Sequence, residues 1–177
     1  MSELVQITSW DDVPRGLSDG AVLIALGEGK VTGDAVTGIR RLRELQVPAV
    51  AALSGACGPA DLAAALACSI AYADLTVSFE LRDTAGLLEL GIPWELQRRG
   101  AGWLLFAPAP LSSAALVSAG LALTGSPADS HLAAQRLAAD ADNGLLVRSL
   151  RAAVRSSAGQ SAIYDAELAS LVTARTS

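Results

Sequence analysis

Lysine and histidine are nearly absent from this chain, which has Lys30 and His131 as its only representatives of each. Thirteen basic side chains face 18 acidic ones, for a net charge of −5. That balance repels a phosphate backbone, and no basic stripe with interleaved aromatics appears, so nucleic-acid binding is not expected. His131 sits in SPADSHLAAQRLA with no serine elbow or carboxylate partner at a recognisable spacing. It reads as a surface histidine rather than a member of a catalytic triad. The two cysteines, Cys57 and Cys68, are eleven apart. This spacing suits neither a metal site nor a disulfide framework, and buried reduced thiols are expected instead. Charge is missing altogether from Gly100 to Ala128. A run of that length would permit a membrane span. Pro108 and Pro110 split it, however, and serines, a threonine and glycines follow, so no span is expected. No basic region followed by an apolar stretch precedes SWDDVPRG, which makes a cytoplasmic location the expectation. The GxG of GEGK lacks the continuation of a dinucleotide or P-loop motif.

What the chain has in quantity is apolar residues, 51% of its 177. One domain with a real core follows from that length and composition. Strands are expected at Leu4 to Ile7, Gly20 to Leu26, Pro48 to Leu53 and, interrupted by Asp74, Ile70 to Phe79. Trp10 to Leu17 reads as a weak helical turn. Helices are expected over 34–45, 60–68, 94–103, 112–119 and 127–140, with a carboxy-terminal pair over 144–156 and 161–174. Strands alternating with helices imply a mostly parallel sheet flanked by helices. On the 34–45 helix, Arg40 and Arg43 share one face and Ile39, Leu42 and Leu45 another. The arginine face reads as solvated, with a grip on coenzyme phosphates as the other reading.

Val47 to Asp74, VPAVAALSGACGPADLAAALACSIAYAD, is the most informative stretch. PAVAAL is apolar at consecutive positions, as a strand covered on both faces must be, and Ser54-Gly55 ends it. Pro59 suits a first helical position, and Asp61 favours the positive end of the helix dipole. Backbone N–H groups near Pro59 and Ala60 therefore leave a helix start free to polarise a carbonyl.

This stretch resembles the enoyl-CoA hydratase/isomerase (crotonase) superfamily, whose members carry a strand, N-G-x-A-x-G-G-G-x-E and L-A-x-x-C-D-x-x-x-A. Pro48, Gly55, Leu62, Cys68, Ile70 and Ala73 match in one ungapped register. LLFAPAPLSSAALVSAGL, from Leu104 to Leu121, is similar to the family's L-T-G-x-P-I-S-A-x-x-A-x-x-x-G-L, with Pro108 replacing a glycine. Phe79 and GLLELGIPWELQRR resemble the segment between, with a shortened glycine loop. The resemblance implies an α/β fold, a crotonase-like core of stacked parallel strands and flanking helices over residues 1–125, followed by a C-terminal helical segment, 126–177, of the same domain. It also implies an acyl-CoA thioester as ligand, no further cofactor or metal, and a homo-oligomer, a trimer or hexamer.

The site residues are implied in the same way. Two backbone amides hold the thioester oxygen as it becomes an enolate, each contributing about 3 to 4 kcal/mol. One falls on Ala60 and the other on Gly33, in the turn GEGKVTGDAV. Pro59 is a candidate substrate contact; Trp94, near helical spacing with Trp103 and Phe106, reads as packed in the core or at a subunit contact, with a substrate contact lining an acyl pocket as the other reading. The first family glutamate falls on Ala63, and a methyl group cannot move a proton. The second falls on Asp83 when counted from Phe79 and on Arg82 when counted from Gly86, and Asp83 reads equally as a helix cap. Asp61, about 200° around the helix from Ala63, reads as a dipole-complementing acid. Three functions stay open: an acyl-CoA-binding protein with little or no hydration chemistry, an active hydratase, isomerase or decarboxylase using Asp83, and a structural or accessory subunit.

Overall fold

A computed structural model describes residues 3–140 of the chain. The expected carboxy-terminal helix pair, 144–156 and 161–174, lies outside the described residues. Strands β1 (Leu4–Ile7), β2 (Ala21–Leu26), β3 (Ala49–Leu53), β5 (Ile70–Ala73) and β8 (Leu123–Thr124) form a five-stranded sheet in the order β1-β2-β3-β5-β8, every neighbour parallel. β4 (Ala56–Cys57), β6 (Ser78–Phe79) and β7 (Leu111–Ser112) make a second, three-stranded sheet in the order β4-β6-β7. The helices are α1 (Ala35–Glu44), α2 (Pro59–Ala67), α3 (Thr84–Glu89), α4 (Ile92–Arg98), α5 (Ser113–Ser118) and α6 (Pro127–Ala139), with 3-10 turns at Trp10–Asp12 and Gly102–Phe106.

The central strand β3 is buried at every position, which explains its unbroken apolar run. Ile24, Ala51 and Ala71 form one cross-strand row and Leu26, Leu53 and Ala73 the next, all in the main core with Ile39 and Leu42 of α1 and Leu62 and Ala63 of α2. The opposite face carries Leu23, Val50 and Ala52, covered by Ala134 and Leu137 of α6. Residues 127–139 therefore pack directly on the sheet. His131 ties this helix to β1, with its Nδ1 3.4 Å from Gln6 Nε2.

Glycine inside α1 would cost about 1 kcal/mol against alanine. Gly38 is there because a Cβ would stand 2.7 Å from Trp10 Cβ, so α1 rests on the tryptophan through a bare backbone. The helical turn expected over Trp10 to Leu17 shortens to Trp10–Asp12, opened by the Ser9 side chain, which accepts from the Asp11 amide. The strand expected from Ile70 to Phe79 is two strands in different sheets. Asp74 Oδ1 accepts the Thr76 amide at 2.8 Å and turns the chain between them. The helix expected over 94–103 starts at Ile92 and stops at Arg98, because Gly100 takes φ 72° and the Ala101 amide turns back to Leu96 O. The short α3 before it was not expected as a separate helix, although Asp83, read as a possible cap, is its N-cap. No helix among the described residues is long and apolar enough to cross a membrane.

Candidate functional site

Loops leaving parallel strands gather at the carboxyl edge of a sheet, where ligands of such folds bind. Here the segments after β2, β3 and β5 are hydrogen-bonded to one another at that edge. Ser54 N donates to Leu26 O (3.2 Å), Glu28 N to Ala56 O (2.6 Å), and Gly55 N to Thr76 Oγ1 (2.9 Å). Gly27, Glu28 and Gly29 all take positive φ, at 100°, 53° and 67°. At Gly27 no side chain fits, since a Cβ would stand 2.0 Å from Ser54 O. Glu28 folds its carboxylate over Gly55, and exposed Lys30 donates to the Ser54 hydroxyl.

Asp61 joins this edge to α2. Its Oδ2 accepts from Gly58 N at 2.8 Å and its Oδ1 from Gly27 N at 3.1 Å. The carboxylate thus turns back over the helix start, and its role as a dipole acid is only part of what it does. Pro59 occupies the first turn, where its missing N–H costs nothing. Ala60 follows, half-buried, with its amide among the first-turn donors that have no intrahelical acceptor. Ala63, one turn on, is fully buried in the core.

Gly33 lies at the start of α1, φ 96°, where a Cβ would stand 2.9 Å from Asp11 Oδ2 and 3.2 Å from Ser9 Oγ. The adjoining Thr32 bridges to Ser9, so the 31–33 segment runs beside the extension of β1. Asp34 caps α1 through Oδ1, which accepts Val36 N at 3.1 Å and Thr37 N at 3.3 Å. Hydrogen bonds from the Thr37 hydroxyl and amide hold its carboxyl below the usual value. α1 packs against α2, and the parallel crossovers start both helices at the carboxyl edge.

Asp83 is exposed and caps α3, its Oδ1 accepting Gly86 N at 3.0 Å. Trp94 lies on α4, 58% exposed, with the Arg98 guanidinium 5.4 Å over its ring. α4 meets the carboxy-terminal end of α2, where Arg99 Nη2 donates to Leu66 O at 2.7 Å. Pro59, Ala60 and Gly33 therefore belong to the helix starts, whereas Asp83 and Trp94 sit on the α3–α4 segment.

The Cys57 thiol lies beneath the turn, buried, and its pKa is pushed up from 9.0 to about 12, mainly by burial and secondarily by the Asp61 charge. It is inert at neutral pH. No group of His, Cys, Asp and Glu among the described residues could hold a metal ion. Sequence reasoning missed the interlocked Glu28, Lys30 and Ser54. The signal was the GEG triplet after an apolar strand, since glycines flanking Glu28 mark backbone in the left-handed region.

No protein-family model and no curated protein matches the sequence. Solved structures do match. The chain superimposes on an enoyl-CoA hydratase/isomerase from Pseudoalteromonas atlantica T6c with a TM-score of 0.66 and 21% identity, covering 84% of this chain and 72% of that one. An enoyl-CoA hydratase/isomerase family protein from Silicibacter pomeroyi matches with a TM-score of 0.61 and 20% identity over 84% of this chain and 80% of its own. The parallel five-stranded sheet with its flanking helices has the crotonase fold of those enoyl-CoA hydratase/isomerase structures, of which this chain spans 72% and 80%.

Proposed function

We propose that the chain is a member of the crotonase superfamily that binds an acyl-CoA thioester, holding its carbonyl oxygen with the Ala60 amide and a second donor at Gly33. The observation that carries this reading is the free first-turn amide of Ala60, at the carboxyl edge of a sheet whose fold is that of enoyl-CoA hydratase/isomerase structures. A fixed N–H aimed where negative charge develops stabilises an enolate without any side chain. Proton transfer is a different requirement, met by a positioned acid or base worth 10²- to 10⁴-fold in rate. Ala63 supplies none and is closed into the core, so hydration of an enoyl thioester is weak or missing. Asp83 is the remaining carboxylate that could serve an active hydratase, isomerase or decarboxylase, but its Oδ1 is engaged by Gly86 N. Exposed Trp94, Trp103 and Phe106 support assembly into a homo-oligomer, and the cytoplasm is the compartment proposed for it.

Calorimetric titration of the full chain with a long-chain acyl-CoA tests the reading. Saturable heat and a raised melting temperature are expected. A carbonyl-labelled thioester should show a downfield ¹³C shift on binding, the sign of an oxygen accepting hydrogen bonds. No heat and no thermal shift would leave only a structural or accessory role. Turnover of crotonyl-CoA that disappears in Asp83→Asn would establish the catalytic alternative.

A further inference from the structure

A groove of about 320 Å³ lies between α1 and the chain just after the first 3-10 turn, lined by Pro14, Arg15, Thr37, Arg40, Arg41 and Glu44, with Leu45 at its end. Three guanidiniums share one small concavity in a chain whose net charge is −5. Arg41 is fixed, with Nη1 donating to Asp11 O at 3.1 Å and its charge acting on Asp34. Arg15 and Arg40 are exposed, and neither has a hydrogen bond or ion pair among the described residues. Arg43, which shares the helix, points elsewhere and donates to Leu90 O at 2.9 Å. Glu44 lines the same groove without pairing to a guanidinium within 4.0 Å.

We propose that this groove binds the phosphate group of a small phosphorylated molecule. Charge complementarity selects the ligand class. Three guanidiniums and one carboxylate leave an excess of about two positive charges. A carboxylate ligand would neutralise half of that, whereas a phosphomonoester or diphosphate carries about two negative charges and presents the oxygens that a guanidinium fork grips in pairs. The volume suits a small molecule rather than a polymer. The site also stands apart from the proposed thioester oxygen. Arg40 and Arg41 lie in the second half of the ten-residue α1, away from the end that carries Gly33. The proposal does not depend on the acyl-CoA reading.

Inorganic pyrophosphate is the probe, titrated calorimetrically into the full chain at low ionic strength with acetate as comparator. Saturable binding of pyrophosphate and none of acetate is expected. Arg40→Gln should weaken it about tenfold, the loss of one charge-assisted contact. Glu44→Gln should act in the opposite sense and tighten it several-fold. Both residues are exposed, so the melting temperatures of the variants should match the parent. Absence of pyrophosphate binding, or affinity indifferent to Arg40→Gln and Arg15→Gln, overturns the proposal whatever an acyl-CoA titration shows. Retained binding in the presence of saturating acyl-CoA supports an independent phosphorylated ligand. Displacement that is lost in Arg40→Gln supports the phosphate chemistry and identifies its source as the coenzyme headgroup.

Discussion

α1 and α2 begin side by side with the same dipole pointing the same way, and each has one aspartate at its start. The difference is where that aspartate spends its oxygens. Asp34 precedes α1 and takes two amides of the helix's own first turn, Val36 N and Thr37 N. Asp61 lies inside α2 and reaches backwards, to Gly58 N and across to Gly27 N of another loop. An ordinary cap consumes the donors that could serve a ligand; a reversed one fastens neighbouring segments and leaves Ala60 N–H available. The Ala60 donor comes from the second arrangement, because rigidity and an unconsumed amide are needed together.

Gly27→Ala should break the contrast most severely. A side chain there meets the Ser54 carbonyl and a left-handed backbone, so a loss of about 3 kcal/mol is expected in urea denaturation. Asp61→Ala, which removes a helix cap and a charge-assisted bond to Gly27, should cost about 2 to 4 kcal/mol and weaken acyl-CoA binding with it. Asp34→Ala should lower the melting temperature less and weaken acyl-CoA binding less than Asp61→Ala does. Its effect should also fade in acid: the folded pKa lies below the usual 3.8, so the stabilisation is complete above that value and disappears as pH falls through the folded one. Equal losses of acyl-CoA affinity in the two aspartate variants would erase the distinction between the helix starts. Cys57 sharpens it at the alkaline end. A pKa raised from 9.0 to about 12 contributes stability that is complete below pH 9 and is lost as pH rises towards 12, so Cys57→Ala should flatten that part of a pH–stability profile.

Four strands of the main sheet, β1, β2, β3 and β5, and the helices α2 and α6 were legible because their signals are local, whereas the two-residue β8 at its edge was not expected. Consecutive apolar residues mark β3 and Pro59 marks the start of α2; the helix expected over 127–140 runs from Pro127 to Ala139, opened by a Ser126–Asp129 capping box. Ala60 was a candidate through register with a family pattern and Gly33 through the likeness of GEGKVTGDAV to a family turn; the first lies in the first turn of α2 and the second just before α1. Asp61 was only half legible. Its distance from Gly58 is fixed by the helix, but its bond to Gly27 spans 34 residues and exists only after folding. The three-stranded sheet was invisible for a similar reason, since strands of two residues carry no periodicity. The α3–α4 boundary and the end of α4 depended on Gly91 and Gly100, respectively, adopting left-handed backbone, a choice made by tertiary packing rather than by glycine's presence alone.

One carboxylate latched to two crossovers has a dynamic consequence. Opening the turn after β2 strips Asp61 of one partner and loosens the α2 start, so these pieces of the edge exchange with solvent as a single cooperative unit. Deuterium uptake at the Gly27 and Gly58 amides should then rise in step, and the loop cannot be redesigned without retuning the helix it holds.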